Sequence, residues 1–225
     1  MRRVRAFVLA AAIASVAGCA GIIPGGTSSP EGDSTAAQAA ASRPQPDAEL
    51  VPAGYGSLRQ DDIAVRIALP AVNVRALPLD ESIIRVLSPD SYRSLRELRQ
   101  ANRAAIERIA ARADVRSPGL WYVSFFGLEP DARFSPLEMV ITSGGREHRA
   151  LDLVPLSPGF GAQRLQQRET QSAIIVFDDG INVNQPLTIS IEGVQNASWG
   201  GVLRSVERER SLIRTRAAQA QAGER

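Results

Sequence analysis

The sequence predicts a mostly β chain: an immunoglobulin-like antiparallel β-sandwich with one α-helix inserted at about 89–113. Three observations predict it. Apolar residues alternate with period two in the first run, where Ile63, Val65, Ile67 and Leu69 are interleaved with Ala64, Arg66 and Ala68. Later runs are separated by Gly144-Gly145 and by Asp178-Asp179-Gly180, residues that supply positive φ in tight turns. One stretch of helical period interrupts the strands. About seven strands, most of the later ones joined by turns, suit two packed antiparallel sheets.

The elements follow in order. Val72 and Val74 start a second strand after Pro70, and Asp80 to Leu87 reads as a short helix. Ser88-Pro89-Asp90 is a helix start: a capping serine, proline where no backbone N–H is needed, then an acid at the positive end of the dipole. Leu95, Leu98, Asn102, Ala105, Ile109 and Ala113 share one face of that helix, and Ser117-Pro118-Gly119 ends it. Strands resume at Leu120 to Phe126, Leu137 to Thr142, Glu147 to Val154, Ala173 to Phe177 and Leu187 to Ile191. Trp199 reads as the close of the core on a last short strand. Residues 204–225, with six arginines and three glutamates, read as a short polar helix with a disordered end.

The start of the chain carries a different signal. Arg2, Arg3 and Arg5 precede an apolar run from Ala6 to Ala17, too short to span a bilayer as a helix. Val16-Ala17-Gly18-Cys19 follows, and Cys19 is the single cysteine of the 225 residues. This order of charge, apolar run, small residues and cysteine resembles the lipobox of bacterial lipoprotein precursors. The resemblance implies cleavage after Gly18, a lipid on Cys19 and an acylated new amino terminus. Two or three acyl chains anchor stably where one is reversible. Ala20 stands where, in enteric bacteria, Asp would signal retention at the inner membrane. This points to the outer membrane, on its periplasmic side, ahead of the outer face of the plasma membrane. Residues 20 to 53, rich in Ala, Gly, Ser, Pro and Gln, read as a disordered linker. The expected organisation is therefore a signal peptide at 1–18, a lipidated linker at 19–54, a sandwich domain at 55–203 and a tail at 204–225.

Composition narrows the function. The chain has no lysine; its 26 basic residues are all arginine, against 24 acidic ones, for a formal charge of +2. Without the leader the balance falls to 23 arginines against the same 24 acids. No basic face suggests nucleic acid. With no thiol beyond Cys19, the fold must be held by its core rather than by an internal disulfide.

Candidate sites are few. His148, the one histidine, lies in Arg146-Glu147-His148-Arg149 at a strand start and reads as an exposed surface residue; catalysis would need a nucleophile and an orienting acid around it. No serine sits in a G-x-S-x-G elbow. Asp178 to Asn184 places oxygen side chains at spacing two, as a calcium loop can begin, but it lacks the later glutamate and reads as a hairpin turn. Phe160, in the Gly-rich loop Ser157 to Leu165, is either a plug on the end of the core or an exposed anchor for a partner. Trp121, Tyr122, Phe125 and Phe126 make one strand apolar on both faces. That strand is either covered by the helix or exposes a binding surface. Phe160 and Trp121 are thus the candidate partner surface. No catalytic, cofactor or metal residue is expected.

Trp121 to Phe126, Pro158 to Gly161, Gln163 to Leu165 and Ala173 to Phe177 together resemble uncharacterised bacterial lipoproteins with an immunoglobulin-like domain. The expected function is a lipid-anchored, non-enzymatic envelope protein, either an interaction module for another envelope protein or a structural one. The alternatives are an anchored serine hydrolase and a small-ligand carrier.

Overall fold

The structure is a computed structural model that describes residues 50–223. Cys19, the leader and the linker up to residue 49 lie outside the described residues. Eight strands form one continuous antiparallel sheet: β1 (Val65–Ala68), β2 (Val72–Pro78), β3 (Gly119–Gly127), β5 (Val140–Ser143), β6 (Arg146–Pro155), β8 (Thr170–Phe177), β9 (Leu187–Ile191) and β10 (Val194–Asn196). Their spatial order is β1-β2-β3-β8-β6-β5-β9-β10. A minor two-stranded sheet joins β4 (Ala132–Arg133) to β7 (Arg164–Leu165).

The mostly β, antiparallel character is as expected from the sequence. The expected two-sheet separation of an immunoglobulin-like sandwich is not displayed, because β6 serves both halves. Its first part, Arg146 to Arg149, pairs with β5, and its second, Ala150 to Pro155, pairs with β8 past a bulge between Ala150 and Asp152. Such a bulge sharpens the local twist. The edge strands β10 and β1 then come to lie side by side, with Asn196 Nδ2 donating to the Arg66 carbonyl at 2.8 Å. The sheet is nearly a barrel.

Alternation decides which side chains fill it. Residues opposed across antiparallel strands share a face. Trp121 with Ile175 and Val123 with Ala173 therefore line the interior, continued by Val74 with Phe125. The outer face of β3 and β8 carries Tyr122 with Ile174 and Leu120 with Val176. The inserted helical segment covers part of it. This segment is two helices, α2 (Pro89–Ala101) and α3 (Arg103–Arg112), after the short α1 (Glu81–Ile84). The single helix expected at 89–113 breaks at Asn102, whose φ of −101° and ψ of 6° leave the helical region and whose Nδ2 donates to the Leu98 carbonyl at 2.8 Å. Asparagine bonding its local backbone competes with continued helix. Helix α3 packs on β6 and β8 through Ile106, Ile109 and Ala110, and Arg112 pairs with Asp152 of β6.

Four further expectations are corrected. Asp178-Asp179-Gly180 is not a hairpin turn. Gly180 does have φ +95°, but β8 and β9 are not neighbours, so the segment 178–186 crosses from one part of the sheet to another over one end of the barrel. Trp199 ends no strand: it starts α4 (Trp199–Gly223), a 25-residue helix. That helix is neither short nor loosely attached, because Trp199, Leu203, Val206, Ile213 and Ala217 are all buried. The core also reaches back to Val51, into the stretch expected as linker.

Candidate functional site

The barrel has two unlike ends, fixed by two residues of β3. Trp121 and Phe125 lie on the same face, four residues and about 13 Å apart. At the Phe125 end, Phe134 stacks on Phe125 at 4.4 Å between ring centroids, and Phe160 meets both edge-on at 6.0 and 5.3 Å. The three rings close that end with apolar surface. At the Trp121 end, Trp199 meets Trp121 edge-on at 5.8 Å, and its Nε1 donates to the Val183 carbonyl at 2.9 Å. Phe160 is 2% exposed and Trp121 1%. Neither forms a surface in this structure, which corrects their expectation as partner contacts. Phe160 is the plug. The outward-facing ring of β3 at this position is Phe126, which is partly exposed.

Polar groups collect at the Trp121 end. His148 is not a surface residue. It is 1% exposed because it points inward, opposite Ile141 in the register of β6 and β5. Its Nδ1 lies 2.6 Å from Asp178 Oδ1, so the ring donates to the carboxylate there. Arg146 Nη2 holds the other carboxylate oxygen at 2.9 Å. The His148 Nε2 atom is buried and finds no hydrogen-bond partner among the described residues. The charged neighbours in sequence hid this placement, since only the strand register reveals which residue of Arg-Glu-His-Arg turns inward. No cluster of three or more metal-ligating side chains occurs among the described residues.

The crossing segment 178–186 is fastened by side chains from distant parts of the chain. The Asn182 amide donates to Ser143 Oγ at 3.1 Å, and Arg210 of α4 donates to the Ser82 carbonyl at 2.7 Å and to Asn184 Oδ1 at 2.6 Å. Next to Arg210 on α4, Glu209 is buried and accepts from the Ser57 amide at 2.8 Å, the Ser57 hydroxyl at 2.9 Å and Arg216 at 2.6 Å. Burial pushes its carboxyl up, but Arg216 and Ser57 outweigh that and hold it below its ordinary value.

Beside this end opens a groove of about 1050 Å³. Its walls are α2 and α3, the turn after Arg116, the start of α1 and the segment Asp179 to Asn184. Five arginines line it: Arg85, Arg96, Arg99, Arg103 and Arg116. Arg85 is tied to Glu81 at 2.9 Å and Arg103 to Glu107 at 2.6 Å, while Asp80 caps α1 through the Ser82 amide at 2.8 Å. Arg96, Arg99 and Arg116 are exposed and form no ion pair or hydrogen bond among the described residues. Asp179 is the single lining carboxylate in the same condition. The groove volume is at the upper end of the roughly 300–1,000 Å³ usual for ligand sites. None of the aromatics of β3 lines it, so the aromatic cavity a ligand carrier would need is not this groove. The helix face carrying these arginines reads from sequence as a merely solvated surface. What sequence cannot supply is the opposite wall, which comes from a segment about 80 residues later.

No known protein family matches this chain, and neither a curated protein nor a solved structure is significantly similar to it.

Proposed function

We propose that this chain is a lipid-anchored, non-enzymatic binding module of the bacterial cell envelope, tethered through Cys19 and presenting the groove at the Trp121 end to another envelope component. The observation that carries the binding role is the groove itself, a recess with arginines that no group of the described chain satisfies. The anchor rests on the Val16-Ala17-Gly18-Cys19 resemblance, and the outer membrane on Ala20. Binding of a peptide along an exposed sheet edge is the weaker mode, because the edge strands β1 and β10 lie side by side and crowd each other's edges. The immunoglobulin-like reading survives as the proposal that the two halves joined by β6 act as the layers of a sandwich.

Crosslinking in intact cells, with native protein against Cys19→Ser, tests this. One discrete partner that weakens in the unanchored variant is the expected result; equal crosslinking of both forms to many proteins would sink the anchored-module reading. Labelling with a fatty-acid probe should mark the native chain and not Cys19→Ser.

A second reading, an anchored hydrolase, draws on the His148–Asp178 pair, in which a carboxylate orients an imidazole as an esterase dyad does. A nucleophile within hydrogen-bond reach of Nε2 is the missing part. Covalent labelling by a serine-directed fluorophosphonate, abolished by His148→Gln, would favour the hydrolase over the binding module.

A further inference from the structure

We infer that the groove beside the Trp121 end is a binding site for a multivalent oxyanion, a ligand carrying two or more phosphate or carboxylate groups. The inference rests on the reading of this chain as a binding module and names the ligand chemistry of that module's groove.

Three observations meet there. First, Arg96 and Arg99 lie three residues apart on one face of α2, and Arg103 at the start of α3 lines the same recess. That row, joined by Arg116 from the turn before β3, lines one recess rather than scattering over the surface. Second, the charges do not cancel. Glu81 and Glu107 are already engaged by Arg85 and Arg103, and three guanidinium groups remain against the lone carboxylate of Asp179. Guanidinium presents paired N–H donors that match the two oxygens of a carboxylate or phosphate, so an unmatched set in a concave site favours an oxyanion over a neutral ligand. A cleft walled by protein also focuses the field more than a flat surface does. Third, the opposite wall offers neutral polar groups at Asn182 and Ser82. That wall is held in place by hydrogen bonds: Asn182 to Ser143, and Arg210 to Asn184 and to the Ser82 carbonyl. The site needs little reorganisation to accept a ligand, which lowers the cost of binding. The row spans several guanidinium groups, so a ligand with two or more anionic groups is favoured over a single small anion.

The test is isothermal titration of the purified full chain with inorganic tripolyphosphate and, separately, with citrate, at about 0.15 M salt, where exposed charges further apart than about 8 Å are screened. Binding of either probe is expected, and the stronger of the two distinguishes a phosphate-bearing ligand from a carboxylate-bearing one. The variant Arg96→Gln/Arg99→Gln/Arg116→Gln should bind roughly tenfold or more weakly. The variant Arg204→Gln/Arg208→Gln/Arg214→Gln, which removes the same charge from α4, should bind as the native chain does. Arg96→Lys/Arg99→Lys/Arg116→Lys, which keeps charge but not the paired donors, should fall between. Thermal melts of all variants check that each is folded. No saturable binding of either probe to the folded native chain overturns the inference, as does an equal loss in the groove and α4 variants. This outcome is separable from failure of the module reading, which the cellular crosslinking decides without reference to any anion.

Discussion

The Phe125 end and the Trp121 end of the barrel solve the same problem with opposite chemistry. An almost closed sheet leaves two open mouths, and apolar interior must be kept from water at both. At the Phe125 end three phenylalanine rings pack on one another, and what surrounds them is a minor sheet and loop turns. At the Trp121 end two indoles meet edge-on, and the cover is a crossing segment held by hydrogen bonds to α1, α4 and β5. The first closure rests mainly on burial of stacked rings, with the β4–β7 pairing around them. The second depends on polar groups that must all stay paired, and it leaves a groove at its rim. The difference teaches where to look for function: polar closure costs desolvation, and here it accompanies a recess with unmatched charge.

That contrast can be broken most severely at the rings. Phe160→Ala should cost about 3–5 kcal/mol of stability, read by chemical denaturation, and leave groove binding intact in the folded fraction. Trp199→Ala should cost a similar amount and also weaken anion binding, because it removes the donor to Val183 in the groove wall. Equal effects of both on binding would erase the distinction between the ends.

The clasp on the crossing segment comes next. Arg210→Met keeps most of the aliphatic stem but removes the donor to the Ser82 carbonyl and to Asn184 Oδ1, and should cost about 1.5–3 kcal/mol. Faster hydrogen exchange in residues 178–186, with none at Phe160, would be the accompanying sign.

The His148–Asp178 pair gives an asymmetric prediction. Asp178→Ala leaves both ring nitrogens of a buried histidine without partners and should cost roughly 2–3 kcal/mol. His148→Phe removes the stranded Nε2 as well, and Asp178 keeps Arg146, so the change should stay within about 1 kcal/mol. Denaturation of the two variants checks the order.

Glu209 sharpens the comparison through pH. Its carboxyl is held below its ordinary value of 4.5, so the folded state favours the ionised form. The resulting stabilisation is fully present above that ordinary value and is lost as pH falls through the lower, folded-state one. Melting temperature should therefore drop below about pH 4.5 more steeply in the native chain than in Glu209→Gln, with the earliest loss of protection in α4. The smallest effect belongs to Asn102→Ala. It removes the side chain that bonds Leu98 and should shift stability by no more than about 1 kcal/mol while raising helical signal in circular dichroism.

Much of the strand content was legible because period two is written in adjacent residues: β1, β2, β3 and β6 fall where alternation or apolar runs place them. The Gly144-Gly145 hairpin was legible for the same reason, its φ values of +58° and +78° being those only glycine takes freely. The turn at Glu192-Gly193, φ +48° and +78°, carries a similar signal, yet the strand that follows it, β10, is too polar to show a pattern. Asp178-Asp179-Gly180 gave the turn chemistry but not the partner strand. Which strands pair is a long-range choice that a local turn does not make.

By itself the sequence determined most of the local elements, the helix start at Ser88-Pro89 and the leader pattern ending at Cys19. These depend on residues within a few positions of one another. Only the tertiary structure decided that His148 turns inward to Asp178, that Phe160 is a plug, that α4 is a docked wall instead of a tail, and that the arginines of α2 and α3 face a recess. Each of these joins parts of the chain far apart in sequence, and their meeting is set by sheet register and packing, which no short window of residues encodes.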